Sequence, residues 1–385
     1  MPTETRAIDI VLLGATGFTG GLIAEYLAST APTAVRIALA GRDAAKLEAV
    51  RARIGSDFEL VVVDAADVAA LRRLTERSRV LITTVGPYIV HGDPVVAACA
   101  DTGTDYLDLT GEPEFADLTY LKHQARAFET GARLIHACGF DSVPHDLGVQ
   151  FTVDQLPEGV PLAVRGYVRM QGTFSGGTAA SALEIMGRLR QGRTTHDIRR
   201  LVEGEPEGRS VRVVTGKVGR DRETGWWVVP MPTIDPLIVA ESARQLPRYG
   251  PDFSYSHNWA GQRASAVIGL LGGVSALFAA AQIPPARRAL TRLRPAGSGP
   301  TPAQRAAAWF AVRFVGEGGG ARVVTEVAGG DPGYSETSKM IGEAALCLAL
   351  DDLPATAGQV TTASAMGPAL RTRLQAAGMT FSVLG

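Results

Sequence analysis

The residues best suited to chemistry are Gly14-Ala15-Thr16-Gly17-Phe18-Thr19-Gly20, directly behind the apolar run Ile8-Asp9-Ile10-Val11-Leu12-Leu13. A short buried strand entering a glycine-rich turn and then a helix is the geometry that holds a dinucleotide pyrophosphate. The glycines have separable jobs: a tight turn, backbone approach to the phosphates, and close helix-to-strand packing. Free amides at the helix start and its positive dipole end then meet the negative charge, with Thr16, Phe18 and Thr19 in the same turn. The spacing is G-x-x-G-x-x-G rather than the commoner G-x-G-x-x-G, so an ordinary glycine-rich strand-to-helix turn is the alternative.

The next strand, 35–40, bears on which dinucleotide is held. An NAD site usually ends this strand with Asp or Glu, about 20 residues past the glycines. Here the chain reads Ala40-Gly41-Arg42. A carboxylate would repel a 2′-phosphate, whereas a guanidinium grips it through paired hydrogen bonds. Lys46, one helical turn beyond, adds charge, and Asp43 reads as a helix N-cap. NADP(H) is the expected cofactor, with Arg42 a loop decoration on the opposing view.

Positioning these residues is the task of a parallel sheet. Beyond the first two strands, apolar runs recur at 60–63, 80–85, 105–109 and 133–137, separated by helix patterns such as 44–54 and 114–130. Alternating strands and helices imply a doubly wound sheet covered on both faces, with ligands at the carboxyl ends of its strands. Those ends carry Asp64 and Ala65 for the adenine side, Gly86, Pro87 and Tyr88 for the nicotinamide side, then Thr110-Gly111-Glu112 and Gly139-Phe140-Asp141-Ser142. Asp93-Pro94 marks a helix start. Beyond about residue 145 the strand patterns at 164–171, 211–218, 226–229 and 322–328 suggest an α+β domain around an antiparallel sheet. The expected organisation is an α/β Rossmann domain over 1–142, an α+β substrate or interface domain over 143–334, and a helical segment, 335–385, returning to the first domain.

With 385 residues, 46% of them hydrophobic and 20% charged, the chain has ample core for about two domains. A net charge of −1 leaves no global field to attract nucleic acid. Cys99, Cys138 and Cys347 are scattered and odd in number, so no disulfide framework is implied, and they form no metal-ligand spacing with the six histidines. No metal is expected. Residues 1–7 have no apolar signal core, which points to a cytoplasmic location. The segment 264–286 qualifies this, because it lacks charge and is followed by Arg287, Arg288, Arg292 and Arg294. It is long enough to cross a bilayer, but its alanines and glycines make it only moderately apolar, and Pro284-Pro285 ends it sharply. The readings are a helix in the core or at a subunit interface, as in a homodimer, or a peripheral contact with lipid at the inner face of the plasma membrane. Spanning is the least favoured.

Together these residues resemble the saccharopine dehydrogenase-like reductases, and within them the trans-acting enoyl reductases of actinobacteria. The resemblance rests on residues 14–20 and Leu39-Ala40-Gly41-Arg42, then Thr84-Val85-Gly86-Pro87-Tyr88 and residues 103–112. It continues through Cys138-Gly139-Phe140-Asp141-Ser142-Val143-Pro144, residues 175–181 and Ala365-Met366-Gly367, with few specific matches over 185–300. His145 departs from the serine expected after Ser-x-Pro. The resemblance implies a Rossmann domain completed by the C-terminal helix, and a central mixed domain covering the substrate. It also implies reduction of a polyketide enoyl thioester, in trans to a synthase carrier, for cell-envelope lipids.

Enoyl reduction needs donors facing the thioester oxygen and a proton for the α-carbon. Tyr88 is the first candidate donor, or else a loop tyrosine packed on the cofactor ring. His91 is either the proton source or a surface histidine. Asp141 and Ser142 either bond substrate or fix the next helix start. Glu112 either reacts or anchors a turn, and Ser175-Gly176-Gly177-Thr178 either holds the thioester or caps a helix. Competing functions are an oxidoreductase on an amino-acid or imine substrate, and a non-catalytic membrane-associated scaffold. A nucleotide-sugar epimerase would want a Tyr-x-x-x-Lys pair, and none follows the fourth strand.

Overall fold

The computed structural model describes residues 6–172, 187–281 and 299–385. The motif at 175–178 and the arginines after 286 lie outside these residues.

Seven parallel strands form the first sheet, in the order β14-β6-β5-β4-β1-β2-β3. They are β1 (Ile8–Leu13), β2 (Ile37–Gly41), β3 (Glu59–Val62), β4 (Ser78–Thr83), β5 (Asp105–Asp108), β6 (Arg133–Ile135) and β14 (Gly358–Val360). The helices between them are α1 (Phe18–Thr30), α2 (Ala44–Ile54), α3 (Val68–Glu76), α4 (Tyr88–His91), α5 (Asp93–Thr102) and α6 (Pro113–Thr130). Every residue of β1 is buried, as a strand covered on both faces requires. From β1 the chain winds outward through β2 and β3, then crosses back to β4 on the other side of β1. That reversal opens a crevice at the carboxyl ends of β1 and β4, where such sheets bind ligands.

The second sheet has eight strands: β7 (Leu162–Gln171), β8 (Ser210–Val213), β9 (Gly219–Arg220), β10 (Trp227–Pro230), β11 (Asp252–Gly261), β12 (Trp309–Gly318), β13 (Ala321–Gly329) and β15 (Thr380–Val383). It is mixed rather than antiparallel, because β11 runs parallel to both β7 and β8. Against the second sheet packs α7 (Val143–Asp154), almost wholly buried. Gly148 lets it approach so closely that a Cβ there would stand 2.4 Å from the Phe314 ring. Asp146 of α7 accepts hydrogen bonds from Ser242 of α9 (Asp235–Gln245), from Thr362 Oγ1 at 2.7 Å and from the Ala363 amide at 2.8 Å. One carboxylate thus joins three distant segments; α8 (Leu189–Glu203) packs beyond them against α6.

The C-terminal segment divides between the sheets. Helix α11 (Ser335–Leu350) packs on α1, where Tyr26 donates to Glu343 at 2.6 Å, and β14 extends the first sheet. Strand β15 instead pairs with β13, so 335–385 does not pack on the first domain alone. The unpaired edge of β13 explains the difference, since pairing satisfies its backbone groups. Helix α10 (Ala264–Ala281) carries exposed Ile268 and Leu271 and buried Val267. Among the described residues no helix is long and apolar enough to cross a membrane.

Candidate active site

The glycine-rich turn is built as a cradle. Gly14 has φ +90°, and a Cβ there would lie 2.5 Å from Thr84 Oγ1 at the end of β4. Gly20 sits so close to the turn that its Cβ would be 2.2 Å from the Gly14 carbonyl oxygen. Gly17 is the N-cap of α1 and supplies no side chain to the helix end. The Gly21 amide bonds back to the Gly17 carbonyl at 2.8 Å, so the amides of residues 18–20 precede the first helical bond. Thr16 and Gly17 are exposed, and Thr19 is half-buried. The Phe18 ring packs edge-on against Tyr334 at 5.1 Å, which leaves its backbone as the part that can meet phosphate.

Arg42 follows β2 directly, is exposed, and has no hydrogen bond or ion pair among the described residues. Asp43 caps α2 by accepting the Lys46 amide at 3.0 Å, and Lys46 Nζ stands 3.7 Å from the same carboxylate. A free guanidinium beside the cradle fits a 2′-phosphate. Asp64, exposed beyond β3, accepts the Ala66 amide at 2.9 Å, and Ala65 is half-buried next to it. Gly86 and Pro87, joined by a cis peptide bond, follow the carboxyl end of β4.

Tyr88 is the clearest correction. Its hydroxyl points into the core, donates to the Thr83 carbonyl at 3.2 Å and accepts the Leu109 amide at 3.2 Å. Packing against Phe115 fixes the ring there, so it offers no donor to a substrate. Glu112 anchors a turn: its carboxylate accepts the amides of Tyr88 at 3.1 Å and Ile89 at 2.8 Å, at the start of α4. His91 is exposed at the far end of that short helix, while Ile89 faces the cleft. Asp108 ties β5 to β6, accepting the amides of Thr110 and Ala137 at 3.0 and 2.8 Å and meeting His136 Nδ1 at 2.7 Å.

Ser142 is also corrected. It is buried, its hydroxyl donates to the Asp141 carbonyl at 2.6 Å, and its own carbonyl accepts the amides of His145 and Asp146, so it shapes the start of α7. Asp141 differs. Its side chain is open, 3.5 Å from where a Cβ on Gly111 would stand, yet surrounding protein strips enough hydration to lift the carboxyl to about 6.

Beyond these strand ends lies a cleft of about 510 Å³ between α4, α6, α8, β8, β10 and α9. Ile89, Val213, Val214, Met231 and Leu237 make it apolar, while Glu112, Thr215, Thr233, Arg193 and His257 add polar groups. Asp235 and His257 were not singled out by the sequence. Asp235-Pro236 has the helix-start form of Asp93-Pro94, and His257 continues the alternation Phe253, Tyr255 in β11. With His145 they form a buried cluster: burial holds His145 well below its usual range and His257 down to about 3, and with nearby Asp141 pushes Asp235 well up.

Comparison with known proteins agrees with this geometry. Residues 10–134 match the model of the saccharopine dehydrogenase NADP binding domain. The chain is 38% identical to a Mycobacterium tuberculosis protein bearing the trans-acting enoyl reductase name, over 98% of both chains. It is 36% identical to the trans-acting enoyl reductase of Mycobacterium leprae, again over 98% of both. In fold it resembles the L-Glu-forming saccharopine dehydrogenase of Saccharomyces cerevisiae, with a TM-score of 0.58, 13% identity, and coverage of 98% of this chain and 100% of that one. The chain is therefore an NADP(H)-dependent oxidoreductase and belongs to the trans-acting enoyl reductases of the saccharopine dehydrogenase-like family.

Proposed function

We propose that this reductase saturates the α,β-double bond of an apolar acyl thioester. The observation that carries this reading is the large apolar cleft adjoining the carboxyl ends of the Rossmann strands. Bound NADPH supplies a hydride for the β-carbon. The chain must then hold the acyl group, meet the charge that gathers on the thioester oxygen, and deliver a proton to the α-carbon. Thr215 and Thr233 line the cleft and carry hydroxyls suited to that oxygen. Asp141, whose carboxyl keeps its proton up to about 6, is the proton donor of this reading.

The carrier and the setting are part of the same proposal. Arg193 lines the cleft, is exposed and has no bonded partner among the described residues, which suits the phosphate of a carrier's phosphopantetheine arm. Exposed Ile268 and Leu271 on the uncharged α10 support a peripheral contact with lipid at the inner membrane face, in the assembly of envelope lipids.

A series of trans-2-enoyl thioesters of increasing chain length tests the substrate class. Each buried methylene contributes about 0.8 kcal/mol, so kcat/KM should climb by up to about 4-fold per CH₂ until the cleft is filled. A flat series, or preference for a carboxylated imine, overturns the reading.

A further inference from the structure

Three polar side chains from distant parts of the sequence meet in the core where α7, α9 and β11 converge. His145 Nε2 lies 3.2 Å from Asp235 Oδ1, and His257 Nε2 lies 3.7 Å from Asp235 Oδ2. One ligand-capable atom from each stands within 4.8 Å of the other two. All three residues are nearly sealed from solvent, at 2%, 3% and 4% exposure. Yet they do not satisfy one another. Among the described residues, Asp235 Oδ1 and His257 Nε2, two of the converging atoms, have no hydrogen-bond partner. Buried polar atoms are almost always bonded, so side chains that converge without bonding call for another partner.

The geometry suits a cation. Two ligands about 2.0–2.1 Å from a tetrahedral ion stand roughly 3.4 Å apart, and the two contacts with Asp235 bracket that value. A supporting shell is also present. His257 Nδ1 is 2.9 Å from the Tyr255 hydroxyl, which leaves Nε2 turned toward Asp235. A partner on the far nitrogen is what fixes the tautomer and ring direction of a ligating histidine. Edge-to-face contacts of His145 with His257 at 4.7 Å and with Phe140 at 5.5 Å hold the first ring. His257 reaches the cleft, which gives an ion a way in.

We propose that His145, Asp235 and His257 bind one divalent transition-metal ion of the imidazole-preferring class, with a remaining position open toward the cleft. Two imidazoles and one carboxylate suit zinc or ferrous iron, and an open position lets such an ion polarise an oxygen in the cleft. Spacing in the sequence cannot disclose this site, because its ligands are separated by 90 and 22 positions. The inference stands apart from the enoyl reading, since it concerns ion binding alone.

The test is calorimetric titration of the chelator-stripped full-length chain with Zn²⁺, with Co²⁺ as a visible probe. The expected result is one ion per chain and the d–d absorption of a tetrahedral Co²⁺ site. His257→Gln and Asp235→Asn should each weaken Zn²⁺ by more than about 100-fold. Tyr255→Phe, which touches only the supporting shell, should weaken it about 10- to 100-fold. NADPH binding reports whether each variant is folded, and His145→Ser gives a third ligand variant. Failure of the parent chain to take up Zn²⁺, or lack of a tetrahedral Co²⁺ spectrum, overturns the proposal without any variant. Unchanged uptake in every folded ligand variant overturns it as well.

Discussion

Replacing Arg42 by alanine removes a guanidinium that the fold itself does not use. Arg42 is exposed and makes no hydrogen bond or ion pair among the described residues, so the substitution should leave stability nearly unchanged. Its expected role is to meet the 2′-phosphate through charge-assisted hydrogen bonds, each worth about 1.5–3 kcal/mol. Exposure and screening place the effect near the lower end, about 1.5–2 kcal/mol, or about 10- to 30-fold in Kd. NADH lacks the phosphate and should bind equally well to both proteins. Titration by nicotinamide fluorescence, for both cofactors and at low and high salt, measures this. The gap between NADPH and NADH should shrink in the variant, and added salt should narrow it in the parent chain. Lys46, only loosely paired with Asp43 at 3.7 Å, should retain part of the preference, and the double variant should lose more. Equal loss for both cofactors, or none for either, refutes the assignment of Arg42.

Three further substitutions probe the site. Tyr88→Phe should leave kcat within about 3-fold and lower stability by about 1 kcal/mol, since only core hydrogen bonds are lost; a 100-fold fall in kcat would restore Tyr88 as a donor to substrate. Asp141→Asn should cut kcat by about 10²–10⁴-fold and abolish the fall in rate as pH rises through about 6. Because folding raises the Asp141 pKa from 3.8 to about 6, its stabilising contribution is complete below 3.8 and is lost as pH rises through 6. The asparagine variant should therefore melt higher than the parent at pH 8 but not at pH 3.5, and the reverse order would show that the carboxylate is stabilised in the fold. Gly20→Ala forces a Cβ to within 2.2 Å of the Gly14 carbonyl, so α1 must move; NADPH affinity should fall sharply, and unchanged binding would exclude the cradle.

The centre of the first sheet was legible because β1, β2 and β4 are buried and read as apolar runs, whereas the short β14 was not. Glycine spacing marked the tight turn after β1, because backbone geometry there is set by local residue type. The second sheet was harder. Strand β11 buries Ser256, His257 and Asn258 between β7, β8 and β10, so polar residues hide its pattern. Strand β12 was missed although Phe310, Val312 and Phe314 alternate inward. Tyr88 stands at the expected strand end, but its direction depends on Phe115 and Leu109, contacts that only the folded chain creates. His145 was visible as a departure from a family pattern. Its meeting with Asp235 and His257 arises only when α7, α9 and β11 converge.

The most direct test of the central claim is to mix purified chain with NADPH and a long-chain trans-2-enoyl thioester, then follow nicotinamide absorbance and identify the product. The account predicts loss of reduced nicotinamide matched mole for mole by saturated thioester, with NADH much less effective. Tight NADPH binding with no saturated product, from free or carrier-bound thioester, would contradict it.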